Sequence, residues 1–279
     1  MAITTGDGLL DALGNNSTRI LFDKASIANA AAGQFHSLAR ATGQPGQFTI
    51  PTAAATCDDT TTGCFSFAQQ TAPATSYLAW AVGLCSNSAV TLEIHDRLMH
   101  MGGLSGTVTT AQTVNLDLAA NLASVNLDAR KGDANFSDLS WWAEWYTDTG
   151  GTAVTMTVAV TYNDGTSGNL TGFSLAATRR ASYMVPLNGL IPAAAAGKFI
   201  RDIDTVTLSA TTGTAGNFGF TATRHRATIG LPLANKAEER DWAALGLPEI
   251  HNDSCLFLIQ VASTTNTGTV RGQGKIAHG

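Results

Sequence analysis

Charge is scarce in this 279-residue chain: Asp, Glu, Lys and Arg make up only 13% of it, about half the usual share. Lys and Arg number 16 against 21 Asp and Glu, giving a net charge of −5, and the basic residues are thinly spread. A nucleic-acid binder needs a clustered basic face to release counterions, so no nucleic-acid partner is expected. The densest basic spots are Arg179-Arg180 and Arg224-His225-Arg226, on strand-like segments. Arg179, Arg180, Arg224 and Arg226 read as a solvated face or as subunit contacts.

Long apolar runs are missing too. No stretch of about eighteen apolar residues occurs, so no membrane span is expected. The opening MAITTGDGLLDALGNN lacks the basic start and continuous apolar core of a secretory signal. That predicts synthesis and folding in cytoplasm, with cysteines reduced. There are four cysteines. Cys57 and Cys64, in CDDTTTGC, either close a small loop under oxidising conditions or contribute to a metal site. Their spacing is wider than a zinc knuckle's, and no second pair follows at a suitable distance. Cys85 and Cys255 sit in apolar strand-like runs, as small buried hydrophobes do.

Reactive constellations are lacking as well. In EIHDRLMHMGG, a strand puts Glu93 and His95 on one face and Asp96 and His100 on the other, so three ligands do not converge. Ser105 in GLSGT and Ser167 in GTSGN lack the spacing and the following helix of a nucleophile elbow. The glycines of GNFGF lead into a strand, whereas a phosphate loop leads into a helix; they read as a bulge or a close backbone approach. The aspartates of CDDT and YNDGTSGN lack the dense spacing of a calcium loop. No catalytic residue, cofactor or metal is assigned, and the chain is expected not to be an enzyme.

What is abundant is threonine, 38 residues, and turn chemistry with 28 glycines. From Tyr77 onward, strand candidates follow one another with no helical period between them. They include SYLAWAVGLCS, AVTLEIHDRLMHMGG, LSWWAEWYTD, AVTMTVAVTYNDG, GNFGFTATRHRATIGL and SCLFLIQVAST. That spacing predicts a mainly β protein, an antiparallel β-sandwich or jelly-roll, over residues 73–279. Residues 1–72 predict an N-terminal arm of helical and extended pieces. GDGLLDAL and FDKASIANAAAGQFHSLARATG are its helix candidates, the second stopped at GQPGQ. Short connections predict that residues 139–175 form a three-stranded meander and that the final strands form a hairpin. In NKAEERDWAALGLPEIHND, a helical turn pinned by Trp242 is expected before Pro248.

SWWAEWYTDTGG concentrates the aromatics. Period two puts Trp141 and Trp145 on one face and Trp142, Glu144 and Tyr146 on the other. With the first face in the core, Trp142 and Tyr146 are expected at a surface. There they either stack on a sugar ring beside Glu144 or meet the arm or another subunit.

The stretches IHDRLMHMGGLSGTVTTAQTVN, WWAEWYTDTGGTAVTMTVAVTYNDGTSG, VTLSATTGTAGNFGFTATRHRATIGLPLAN and DWAALGLPEIHNDSCLFLIQVASTTNTGTVRGQGKIAHG resemble structural proteins of tailed-bacteriophage virions. The resemblance covers most of the chain and rests on texture rather than on catalytic motifs. It implies a virion component, assembled in the host cytoplasm, whose partners are other virion proteins (capsid or tail subunits) and copies of itself. A capsid decoration or cement protein is the first reading. A tail or fibre module that binds a host glycan through Trp142 and Tyr146 is the alternative.

Overall fold

The computed structural model describes residues 2–27, 30–87, 89–175, 178–265 and 267–279. It is mainly β, as the sequence predicts, with 45% strand and 10% helix. Every strand pair whose register is defined is antiparallel. The chain forms two compact units. One comprises residues 1–49, 58–96 and 225–279; the other comprises residues 50–57 and 97–224. The long strands Val90–Leu104 and Asn217–Leu231 contribute residues to both.

The first unit is a sandwich. Its larger sheet runs in the order Glu238–Asp241, Ser76–Cys85, Val270–His278, Ser17–Lys24, Gly43–Gln44. Ile20, Phe22, Leu78, Ala81, Cys85, Val270 and Ile276 face inward from it. They meet Leu92 and Ile94, Leu256 and Leu258, and Ala227 and Ile229. Leu256–Ala262 is buried along nearly its whole length, paired on one side with Val90–Asp96 and on the other with Phe35–Ser37. This is the central position that its two apolar faces predict.

The helix expected at GDGLLDAL is present as Gly6–Asn15, with the Thr5 hydroxyl accepting from the Gly8 amide at 3.1 Å. Such a cap satisfies one of the helix's open amide groups. The second helix expected in this region is instead the strand Ser17–Lys24 followed by the short strand Phe35–Ser37. Ala28 and Asn29, inside that expected helix, lie outside the described residues. The physical reason lies in RILFDK, where Ile20, Phe22 and Lys24 alternate inward against Arg19, Leu21 and Asp23. Period-two burial outweighs the alanine content that follows. Within residues 1–72, Ile20, Phe22, Leu38, Phe65 and Phe67 lie in this unit's core. Lys24 is buried, and its ammonium donates to the carbonyls of Ala41 at 3.2 Å, Pro45 at 2.5 Å and Gly46 at 3.3 Å.

The second unit is also a sandwich. Its four-stranded sheet has the order Ser167–Leu175, Val154–Tyr162, Ile200–Leu208, Gln112–Asp117. Met156, Val158, Val160, Leu170, Ile203 and Val206 face a core shared with Trp141, Trp145, Phe218 and Phe220. The tryptophan strand Leu139–Thr147 pairs with Asn217–Arg224 on one side and with Tyr183–Pro186 on the other.

Two expected hairpins are corrected here. Leu139–Thr147 does not pair with Val154–Tyr162, and Leu256–Ala262 does not pair with Val270–His278. In each case the connection crosses from one sheet to the other, because both strands carry an apolar face and each buries it against the other layer. Val154–Tyr162 and Ser167–Leu175 do form the expected hairpin, with a register shift between Leu170 and Phe173. Ala176 and Ala177, at the end of that predicted strand, lie outside the described residues.

The turn predicted at WAALGLP is the helix Trp242–Leu245, capped by Asp241 and ended by Gly246 at φ 74°. Leu245 anchors it, whereas Trp242 is 45% exposed rather than pinned. The close backbone approach predicted for GNFGF is real. A Cβ on Gly219 would stand 1.7 Å from the Met101 carbonyl oxygen. Gly219→Ala is therefore expected to cost about 3 kcal/mol in denaturant unfolding, and unchanged stability would contradict this packing.

Candidate functional site

The tryptophan strand carries the densest chemistry of the second unit. On its first face Trp145 stacks on Phe218 with ring centroids 6.0 Å apart and lies 5.8 Å from Tyr183. The indole of Trp141 donates to the Ile200 carbonyl at 2.8 Å. On the second face, Trp142, Glu144 and Tyr146 are 4%, 1% and 2% exposed. Of the two readings of this face, the exposed platform for a sugar ring is not present: both faces of the strand are covered. Trp142 donates to the Thr223 hydroxyl at 2.9 Å, and the Tyr146 ring lies against Gly102, where an added Cβ would stand 2.7 Å from it.

Sequence reading missed what Glu144 is for. Arg97 donates to its carboxylate at 3.1 Å and makes a 3.1 Å contact with His100 Nδ1. The Tyr146 hydroxyl lies 3.4 Å from the other carboxylate oxygen and 3.3 Å from the Met101 carbonyl. Arg130, fully buried, donates to the carbonyls of Cys57 at 2.7 Å and Arg97 at 2.8 Å. Burial, then the Glu144 charge, pushes the Tyr146 phenol well up, while burial, then the Arg97 charge, holds His100 well below its ordinary value. At neutral pH the histidine and the tyrosine beside the Arg97–Glu144 pair are therefore both uncharged. The signal available was RLMH on an apolar strand: two polar side chains with no polar face to occupy.

The remaining predicted residues go to separate places. In the second unit, Arg179 lies over the Tyr183 ring at 4.7 Å, Arg180 pairs with Asp148 at 2.7 Å, and Arg224 pairs with Asp138 at 2.9 Å. In the first unit, Arg226 donates to the Glu249 carbonyl. Glu93 and His95 share a face as expected and meet at 2.9 Å, with the His225 ring edge-on to His95 at 5.2 Å. Burial alone would raise the Glu93 carboxyl, but the bond from His95 and the charges of His95 and His225 outweigh it. The carboxyl is left below its usual range. No group of three or more His, Cys, Asp or Glu side chains is placed to hold a metal among the described residues. Cys64 and Cys57 are both free thiols; the sulfur of Cys64 donates to the Asp59 carbonyl at 3.3 Å and is hydrogen-bonded to Cys255.

No protein-family model matches the chain, and no curated protein matches its sequence. Among solved structures, that of the infectious bursal disease virus Gx strain is similar over 96% of this chain and 85% of its own, at 8% identity and TM-score 0.19. The VP2 subviral particle of that virus is similar over 94% and 79%, at 9% identity and TM-score 0.15. T=1 particles derived from it give 94% and 76%, at 10% identity and TM-score 0.17. These neighbours belong to an animal virus rather than a tailed bacteriophage, and at such scores the likeness carries no argument.

Two measurements check this description. Arg97→Met leaves Glu144 as an uncompensated buried charge and is expected to cost about 3–5 kcal/mol. Arg97→Met with Glu144→Leu should recover most of that in urea unfolding, and a double variant no better than the single would refute the pairing. His36, buried in the first unit, has its pKa brought down by burial from the ordinary 6.5 to about 4, against an opposing hydrogen bond with the Ala31 backbone. The unfolded chain takes up this proton below pH 6.5 and the folded chain only near pH 4. Stability present above the higher value is thus lost as pH falls through that window, by up to ~3 kcal/mol. The stability advantage of the wild type over His36→Gln is expected to shrink by that amount between pH 7 and pH 4.

Proposed function

We propose that this chain is a non-enzymatic structural subunit of a virus particle, most specifically a protein that packs on a capsid shell. The observation that carries the reading is the outer face of the four-stranded sheet in the second unit. Across the middle of that sheet, Thr113, Thr205, Ala159 and Asn169 stand in one cross-strand row, and Thr207 and Thr157 in the next. These rows are uncharged, broad and rich in hydroxyls, which suits burial against other protein with little desolvation of charge.

Two further observations support it. The resemblance of the quoted stretches to tailed-phage virion proteins points the same way. The acidic and basic groups nearest to a reactive set, around Glu144, are closed in on each other at 1–4% exposure. The burial of Trp142 and Tyr146 leaves the glycan-binding alternative without the aromatic surface it invoked.

The test is quantitative mass spectrometry of purified particles. A copy number comparable with the major shell protein is expected. Absence from particles overturns the reading, and a handful of copies would overturn the shell-packing form of it.

A further inference from the structure

The five-stranded sheet of the first unit has an outer face that the helix Gly6–Asn15 covers at one end only. Register orders that face into rows. Ser17, Ala277 and Tyr77 stand side by side, and Ala277 is buried under Leu9 and Ala12 of the helix. Next come Arg19, Lys275 and Trp80, then Leu21, Gln273 and Val82, then Asp23, Arg271 and Leu84. Leu21, Val82 and Leu84 line a groove of about 530 Å³, with Arg19 at one end and Arg271 toward the other. Leu21 is 53% exposed. Arg271 is paired with Asp23 at 3.0 Å, whereas Arg19 has no ion-pair or hydrogen-bond partner among the described residues.

The helix carries the complementary shape and charge. Asp7, Leu10 and Asp11 fall at i, i+3 and i+4 and so share one face. Leu10 is 62% exposed, the most exposed large apolar side chain among the described residues. Leu9 and Ala12 anchor the helix, so Leu10 does not fill a core of its own chain. Asp7 has no partner among the described residues, and Asp11 accepts from Asn15 at 2.7 Å. One unit thus presents an apolar knob flanked by carboxylates and an apolar groove with an unpaired arginine at its rim.

We propose that this face is a self-association surface, in which the helix of one copy lays Leu10 into the groove of a second copy with Asp7 opposite Arg19. Knob and groove flank the same sheet face, so a two-fold axis satisfies both at once, and the contact is reciprocal. Burying Leu10 and Leu21 supplies the apolar gain, and the Asp7–Arg19 pair sets the register. The proposal rests on the structural-subunit reading for its biological setting only.

The experiment is sedimentation velocity of the full chain across a concentration series, with circular dichroism confirming that each variant is folded. The wild type is expected to dimerise reversibly. Leu10→Asp and Arg19→Glu should each weaken the dimer by roughly tenfold or more. Arg19→Glu combined with Asp7→Lys should restore it, which a general loss of stability would not. A wild-type chain that stays monomeric, or a dimer indifferent to Leu10→Asp, overturns the proposal; failure of the charge exchange to restore association overturns the Asp7–Arg19 register. A chain abundant in particles but monomeric in solution fails this proposal alone, and one that dimerises through this face but is missing from particles fails the particle reading alone.

Discussion

A buried charge is costly unless it is paired or fully hydrogen-bonded, and the second unit is organised around one such pair, Arg97 with Glu144. The pair lies on the face of the tryptophan strand opposite its stacked aromatics. It obliges the strand Val90–Leu104, from Arg97 onward, to lie against Leu139–Thr147 with its side chains in one register. His100 and Tyr146 complete the hydrogen bonding, and Gly102 and Gly219 give the backbones room to approach. Shifting either strand by one residue would turn Arg97 or Glu144 to the wrong face and leave the other charge alone.

A protein with so few charges uses several of them internally. Arg97, Arg130 and Lys24 are each 2% exposed or less, and the last two bond to backbone carbonyls. Such cations act as cross-links: Lys24 holds the chain on either side of its sheet partner Gly43–Gln44, and Arg130 ties its own helical turn to the backbone of Cys57 and Arg97. What remains outside is threonine-rich and close to neutral over the second unit's four-stranded sheet. That composition is compatible with contact to other protein over a wide area, where unpaired charge would be expensive to desolvate.

The strands were legible because alternation survives any topology. Phe218 and Phe220, or Val158 and Val160, declare an apolar face wherever the strand ends up. Neighbours were not legible, since period two names the face a residue points to and not the layer that covers it. That is why Trp142 and Tyr146 read as surface residues and proved buried, and why two crossings between sheets read as hairpins. The helix expected at FDKASIANAAAG failed for a related reason. Its alanines fit either state, and the pairing partner that decided the matter, Val270–His278, lies some 250 residues along the sequence. Arg97 and Glu144 are 47 positions apart, and neither residue announces the other without the fold between them.

The carbonyl cage around Lys24 gives that amine an unusual chemical status. Burial lowers its pKa from 10.5 to about 8, so at mildly alkaline pH it is far more often a free base than a surface lysine is. It is nonetheless closed off from solution by residues 41–46. Acylating reagents should therefore modify the exposed lysines first and reach Lys24 only when this loop opens. Its labelling would record the breathing of one loop, separately from the unfolding of the chain.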